Sequence, residues 1–409
     1  MIRRGVLSAV LILLCGSAVP RAAAGADATG GGRFTLMMHG WAFLTSNRQG
    51  GDSGDQDFES QNHLMLVATR PAGKWTLTLL GTFTAEPLTV PRQGSPELFQ
   101  RGETYKDVLL VDRQHPHDLF VQLAAEWSRD LTRRSRLRMY VAPWGEPAVG
   151  PTTYVHRLSA SADPLAPLGH HNQDSTHISA DVLTAGIDLG PWSAEGSIFH
   201  GREPDENRWD IEQGSLDSYS GRVWFRAAAG LRIQVSAARR EHPEALEAGG
   251  QTRQTASIEY ERMGPGGFVA TTLVAGRNLL EGGLVEWGNT LEATWKFATK
   301  HTVYGRLERV DRDLFELLNK EQRPDSVPQR RTAVDALTLG YVRDLPLLVE
   351  AETGLGAGVT VYRFDDRLET AYGDRPLSAQ LFLRLRFGSK GAEHHHHGEL
   401  LAEPRTPTH

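Results

Sequence analysis

From Arg33 onward, apolar and polar residues alternate with a period of two, the spacing of a strand that buries only one of its faces. Sixteen such segments can be counted, near 33–46, 61–70, 74–86, 118–129, 135–145, 175–189, 192–202, 217–227, 231–241, 251–262, 267–278, 285–298, 301–312, 332–344, 348–363 and 377–387. Short connections include Pro71-Ala72-Gly73, Gly190-Pro191, Ala228-Ala229-Gly230, Gly264-Pro265-Gly266, Thr299-Lys300 and Leu345-Pro346. Long ones run from about 47 to 60, 87 to 117, 146 to 174, 203 to 216 and 313 to 331. An even count with connections that alternate in length predicts an all-β fold: a transmembrane, antiparallel, up-and-down β-barrel. Such barrels keep their short turns in the periplasm and their long loops outside, so both chain ends are expected in the periplasm.

The last segment supports this independently. Leu377, Ala379, Leu381, Leu383, Leu385 and Phe387 face one way, and Ser378, Gln380, Arg384 and Arg386 the other. Ending on an aromatic, it resembles the terminal strand recognised by the barrel-assembly machinery, although a tail to His409 follows. A soluble all-β protein with many hairpins would have no reason for the alternation in loop length.

Composition sharpens the picture. Arg3 and Arg4, an apolar run from Gly5 to Val19 and small residues at Ala22 to Ala24 read as a cleaved secretory signal over residues 1–27. Cys15, the single cysteine, lies in that run, so the mature chain must be held by burial and hydrogen bonding alone. Beyond it no apolar stretch reaches the roughly 18 residues of a membrane-spanning helix. The mean hydropathy of −0.37 is polar because barrel strands turn only alternate residues to lipid. The net charge of −6, with both signs dispersed, speaks against a nucleic-acid partner. The expected organisation is a signal (1–27), an outer-membrane barrel (28–388) and a polar, His-rich periplasmic tail (389–409). Outer-membrane lipid and lipopolysaccharide are the expected surroundings in a Gram-negative cell. Porins of this size are often homotrimers, but no segment marks a trimer face.

If the apolar set faces lipid, the opposite set lines the lumen and is rich in both charges. Arg138, Arg222, Glu259, Glu292, Arg306 and Glu308 are inward candidates, and Arg157 in the third long loop would suit a constriction, by analogy with porins that fold this loop into the barrel. These charges either line an aqueous path or pair across strands and fill the interior.

Histidine and methionine carry the candidate chemistry. Met37, His39, His63 and Met65 share the face opposite Leu36, Leu64 and Leu66, and a register pairing His39 with His63 would also pair Met37 with Met65. Thioether with imidazole favours copper. The alternative is hydrogen-bonded wall histidines with methionines filling gaps. His115 and His117 close the second long loop in a His-Pro-His-Asp run, and His156, His170, His171 and His177 fall in or just after the third. Such imidazoles suit Zn, Cu or Ni. Glu203, Asp205 and Glu206 of the fourth loop could bind hard cations or bridge lipopolysaccharide through them, or simply be solvated. His394 to His397 form a run of four in the tail. Ser175 and His177 beside Asp174, or Ser159 near His156, could imitate a hydrolase set, but no nucleophile-elbow glycines accompany them and no enzyme activity is expected.

Several phrases taken together carry a resemblance: Met38-His39-Gly40, Asp112 to Asp118, Pro143 to Pro151, Gly169 to His177, and Gly201 to Glu206. They resemble an uncharacterised family of bacterial outer-membrane β-barrels often encoded near copper or heavy-metal resistance genes. The resemblance covers most of the mature chain and implies metal handling, with bound Cu or Zn ions, but carries over no site residues. The expected function is a porin-like channel for small hydrophilic solutes with transition-metal handling as its specialisation. The alternative is a plugged barrel that binds at the surface.

Overall fold

The computed structural model describes residues 32–174, 179–243, 249–318, 322–323, 330–348 and 351–388. The signal, the tail with His394–His397, and the Ser175 and His177 candidates lie outside the described residues. In chain order the strands are β1 (Thr35–Arg48), β2 (Gln56–Glu59), β3 (Asn62–Ala72), β4 (Trp75–Phe83), β5 (Ser95–Tyr105), β6 (Val108–Gln114), β7 (Phe120–Thr132), β8 (Ser135–Gly145), β9 (Ser179–Leu189) and β10 (Trp192–His200). They continue as β11 (Ser218–Ala228), β12 (Leu231–Glu241), β13 (Gly250–Gly264), β14 (Gly267–Leu280), β15 (Val285–Phe297), β16 (His301–Asp313), β17 (Arg331–Leu345), β18 (Glu352–Arg363) and β19 (Leu377–Gly388).

Without β2, β5 and β6, these are the sixteen strands of a closed antiparallel barrel. Each pairs with its neighbours along the chain, and β19 closes on β1 from His39↔Gly388 to Arg48↔Ala379. The sixteen alternating segments of the sequence are this wall. Its period is enforced by lipid: inside a bilayer every backbone N–H and C=O must find a partner in the protein, which for strands means a ladder with no edge. What alternation could not show is the short hairpin of β5 and β6 within the second outer loop, a separate two-stranded sheet.

The two faces separate cleanly. On β15, Trp287, Leu291 and Trp295 point out and are exposed, whereas Glu286, Thr290, Glu292 and Thr294 point in and are buried. On β16, Val303 and Leu307 face out, and Thr302, Arg306, Glu308 and Arg312 face in. The outward residues form an apolar band that lipid covers. Rings flank it toward both ends: Trp192, Trp295 and Tyr341 near the turns, Tyr219 and Trp287 near the loops. The turns are tight enough to require left-handed backbone. Gly230 has φ +71°, and a Cβ there would collide with the Glu261 carbonyl oxygen.

The largest apolar core is not in the wall but inside its loop end. Leu98 and Phe99 of β5, Leu168 of the third loop, Val310 of β16, Leu314 and Leu317 of the loop beyond β16, and Tyr372 of the last loop form one buried cluster. Phe99 stacks on Tyr372 at 4.3 Å.

Leu339 points outward from the middle of β17 and is 55% exposed. Leu339→Arg should therefore lower the stability of the refolded barrel by about 2–4 kcal/mol. Asp205→Arg, in an exposed outer loop, should leave it nearly unchanged; urea titrations of folding in lipid vesicles would compare the two.

Candidate lumenal site

The inward face of the wall is polar, and in hydrocarbon-clad protein such groups need partners. Two outer loops supply them by folding between the walls. The third loop, described from Glu146 to Asp174, is mostly buried and runs along the inner wall. Ser197 of β10 accepts from the Ala148 amide at 2.8 Å, and Ser236 of β12 from the Gly150 amide at 2.8 Å. Arg157 donates to Glu292 of β15 at 2.6 Å, with Ser159 on the same carboxylate at 2.8 Å. Arg306 of β16 donates to the Leu165 and Ala166 carbonyls, both at 3.0 Å, and pairs with Asp163 at 3.2 Å. Arg386 of β19 reaches the Ser161 carbonyl.

One guanidinium joins this loop to the second. Arg312 donates to the Phe99 carbonyl at 2.6 Å and to the Leu168 carbonyl at 2.7 Å. Farther along, Arg253 of β13 holds the Asp174 carbonyl at 2.6 Å and also the His171 carbonyl. The short helical turn His170–Gln173 lies in a groove made by two cross-strand glycines, Gly276 and Gly288. A Cβ at Gly276 would collide with the Asn172 carbonyl oxygen, and one at Gly288 would lie 3.0 Å from the Asn172 Cβ.

The third loop does enter the barrel, and Arg157 lies buried against Glu292 of β15. The role of the charges differs from a bare constriction. Glu292, Arg306 and Glu308 are buried anchors for the loop, and Glu259 accepts from the Thr152 amide at 3.2 Å and pairs with Arg232 at 2.6 Å. Arg138 and Arg222 line a separate opening, and Arg222 also donates to the Gly150 carbonyl of the third loop at 3.2 Å. Both pair with Glu195, at 3.0 and 2.8 Å, beside a cavity of about 300 Å³ near the turns.

A larger cavity, about 710 Å³, extends from the turn end between wall and third loop. Its mouth includes Gly264, Lys296, Glu352 and Gly388, and its inner end reaches Glu86, His115, His117 and Tyr154. His39, His63 and His156 line it as well. Five imidazoles that are scattered in sequence thus face one space.

Met37, His39, His63 and Met65 do share the inward face. Their register is shifted by two residues from the expected one: His39 pairs with Met65, Trp41 with His63, and Met37 with Val67. Alternation specifies the face of a strand but not its partner. His39 Nε2 meets the Met65 sulfur at 3.0 Å, Met37 packs against the cluster of Met65, Val67 and Leu80, and His63 stacks on Trp41 and meets the His156 ring at 5.0 Å. Met37, Met65 and His39 are thus neighbours, while His63 is turned to Trp41 and His156.

His115, His117, His170 and His171 are brought together at the inner end. Ring centroids are 5.4 Å apart for His115 and His117, 5.6 Å for His115 and His171, and 4.1 Å for His170 and His171. One ligand nitrogen from each of His115, His170 and His171 lies within 4.8 Å of the other two. His117 Nδ1 is 2.7 Å from Glu86, and His115 Nδ1 is 3.1 Å from Glu103. Glu203 is a correction to the reading of a solvated acidic loop. Unlike the exposed Asp205 and Glu206, it is buried, pairs with Arg240 at 3.0 Å and stands 3.7 Å from His171 Nδ1.

Burial, then Arg208 and the neighbouring imidazoles, hold His115 well below its ordinary pKa; burial and His171 do the same for His170. Burial pushes the Glu103 carboxyl up to about 8 against the pull of Arg208. For Glu203 burial acts upward too, but the facing His171 imidazole and Arg240 outweigh it and hold the carboxyl low. Glu86, Glu103 and Arg208 were not singled out from sequence, because each acts on a residue far along the chain. The Ser159 hydroxyl bonds Thr272 and Glu292 and is not turned to His156.

Solved porins carry a similar wall. An anion-selective porin from Comamonas acidovorans aligns with a TM-score of 0.52 at 12% identity, covering 87% of this chain and 100% of its own. OprB of Pseudomonas putida aligns at 0.51 with 10% identity, covering 87% of this chain and 94% of its own. No protein-family model matches the chain, and no curated protein matches it. At these identities the likeness is one of fold. The chain is a porin-like barrel of a Gram-negative outer membrane.

The glycine groove gives a direct test of how the third loop is seated. Gly276→Val should displace the turn at His170–Gln173 and speed hydrogen exchange of its amides by about tenfold, ~1.4 kcal/mol of local stability. Exchange in the β14–β15 ladder should change little, as mass spectrometry of the refolded protein would show.

Proposed function

We propose that this chain is an outer-membrane channel for small hydrophilic solutes, held narrow by its second and third loops, with transition-metal ions as the favoured cargo. The observation that carries the reading is the 710 Å³ cavity, which opens at the turn end and is lined by His39, His63, His115, His117 and His156. With short turns in the periplasm, this mouth faces the periplasm. Neutral imidazole binds zinc, copper and nickel, and several spaced along one path give an ion successive weak stations. The contact between His39 and Met65 adds a thioether near the mouth, a pairing that suits copper.

A second reading is favoured by the fastening of the loops. Arg253, Arg306 and Arg312 all donate to loop carbonyls, as a permanent plug would require. In that case the barrel binds at its surface and does not conduct.

Planar-bilayer recordings separate the two. A channel should show discrete conductance steps as the wild type, with Arg306→Ala/Arg312→Ala several-fold more conductive because the third loop is released. Steps seen only in the double variant would show a plug and sink the channel reading. Zinc or copper added to the conducting wild type should reduce the current carried by other ions, and His63→Ala/His156→Ala should weaken that block.

A further inference from the structure

We propose that His115, His170 and His171 form a binding site for one borderline divalent transition-metal ion, of the Zn²⁺, Cu²⁺ or Ni²⁺ class, which would staple the second outer loop to the third. Entry of the ion through the cavity rests on the channel reading; its retention does not.

The first support is proximity. A nitrogen from each imidazole lies within 4.8 Å of the other two, deep between the loops. Tetrahedral coordination at about 2.0–2.1 Å from metal to nitrogen sets the nitrogens about 3.3 Å apart, so closure needs shifts of about 1.5 Å or less. Rotation of the rings supplies shifts of that size.

The second support is the outer set of partners. His115 Nδ1 lies 3.1 Å from a Glu103 oxygen, His170 Nδ1 is 2.8 Å from the Pro167 carbonyl, and His171 Nδ1 is 3.7 Å from Glu203. Metal-binding histidines characteristically present one ring N–H to a carboxylate or backbone carbonyl, which fixes the tautomer and leaves Nε2 with the lone pair. The rings of His115 and His170 stand in that relation, and His171 Nδ1 faces the Glu203 carboxylate from just beyond hydrogen-bond distance. The Nε2 of His171 is buried and meets no hydrogen-bond partner among the described residues.

The third is rigidity of the supports. The His171 carbonyl is held by Arg253 and by Asn278 at 3.1 Å, and Gly276 and Gly288 seat the turn from below. Glu103 is fixed by Arg208, and Glu203 by Arg240. The guanidiniums around the site therefore bond carboxylates and carbonyls, while the imidazoles stay turned toward one another. His115 also lines the large cavity, which joins the site to the turn end. With nitrogen donors and no thiolate, the set selects borderline ions over Ca²⁺ or Mg²⁺, and a fourth position is left for water or a carboxylate.

The test is Zn²⁺ uptake by refolded full-length protein, measured by competition with a chromophoric chelator, together with Co²⁺ absorption spectra. The tail run is a competitor, so every titration is repeated with His394→Ala, His395→Ala, His396→Ala and His397→Ala combined. In that background one ion per chain should remain. It should be lost in His115→Ala, His170→Ala and His171→Ala, weakened about 10- to 100-fold in Glu103→Gln, and unaffected in His301→Ala at the turn end. Where a variant fails to fold, Zn²⁺ protection of His115, His170 and His171 from diethyl pyrocarbonate in the otherwise native chain gives the same answer. Uptake that vanishes with the tail run, or persists in all three variants, overturns the site. Conductance steps without uptake overturn it and leave the channel standing; uptake at these histidines in a barrel that never conducts keeps the site and overturns the channel.

Discussion

A strand in a bilayer cannot leave its backbone groups unpaired, and the ladder between β1 and β19 is where this chain meets that demand. Closure dictates the character of the interior. Each strand has one face for lipid and one for the inside, so the polar side chains of the inner face, Glu292, Arg306 and Glu308 among them, are turned inward together. A barrel of sixteen strands encloses more space than those side chains fill. Two loops occupy much of the remainder.

Their seating relies on arginine more than on apolar packing. A guanidinium carries five donors in a rigid fork, so one side chain can hold backbone carbonyls of two segments at once. Arg306 and Arg312 do so within the third loop and across both loops. Buried charges gain little net stability by themselves, since desolvation offsets much of their attraction. Their effect is to specify one path for chain that lacks regular structure of its own. The hydrophobic cluster around Phe99 and Tyr372 completes the enclosure at the loop end.

Distance along the chain decides how much of this could be read from sequence. The wall was legible because alternation is local: the segment near 301–312 is β16 at His301–Asp313 almost residue for residue. The pairing of β1 with β3 was legible only up to its face. A shift of two residues preserves every inward side chain while moving His39 from His63 to Met65. Loop interiors were barely legible. Arg312 acts on Phe99 and Leu168, and Arg208 on Glu103, across separations that no local pattern encodes. Glu203 shows the same limit, since its neighbours Asp205 and Glu206 made it look solvated while Arg240 buries it. The histidines stood out by residue type alone, and the structure shows which of them meet.

The shared guanidinium of Arg312 has a consequence for how the interior could ever open. Because Phe99 and Leu168 hang from the same side chain, departure of either loop leaves the Arg312 guanidinium with one carbonyl fewer to fix it and loosens the support of the other. Departure of one lowers the work of removing the second, so the two segments should behave as a single cooperative unit. An opening event would then be all-or-none, and its energetics would appear as strong non-additivity between substitutions in residues far apart in sequence.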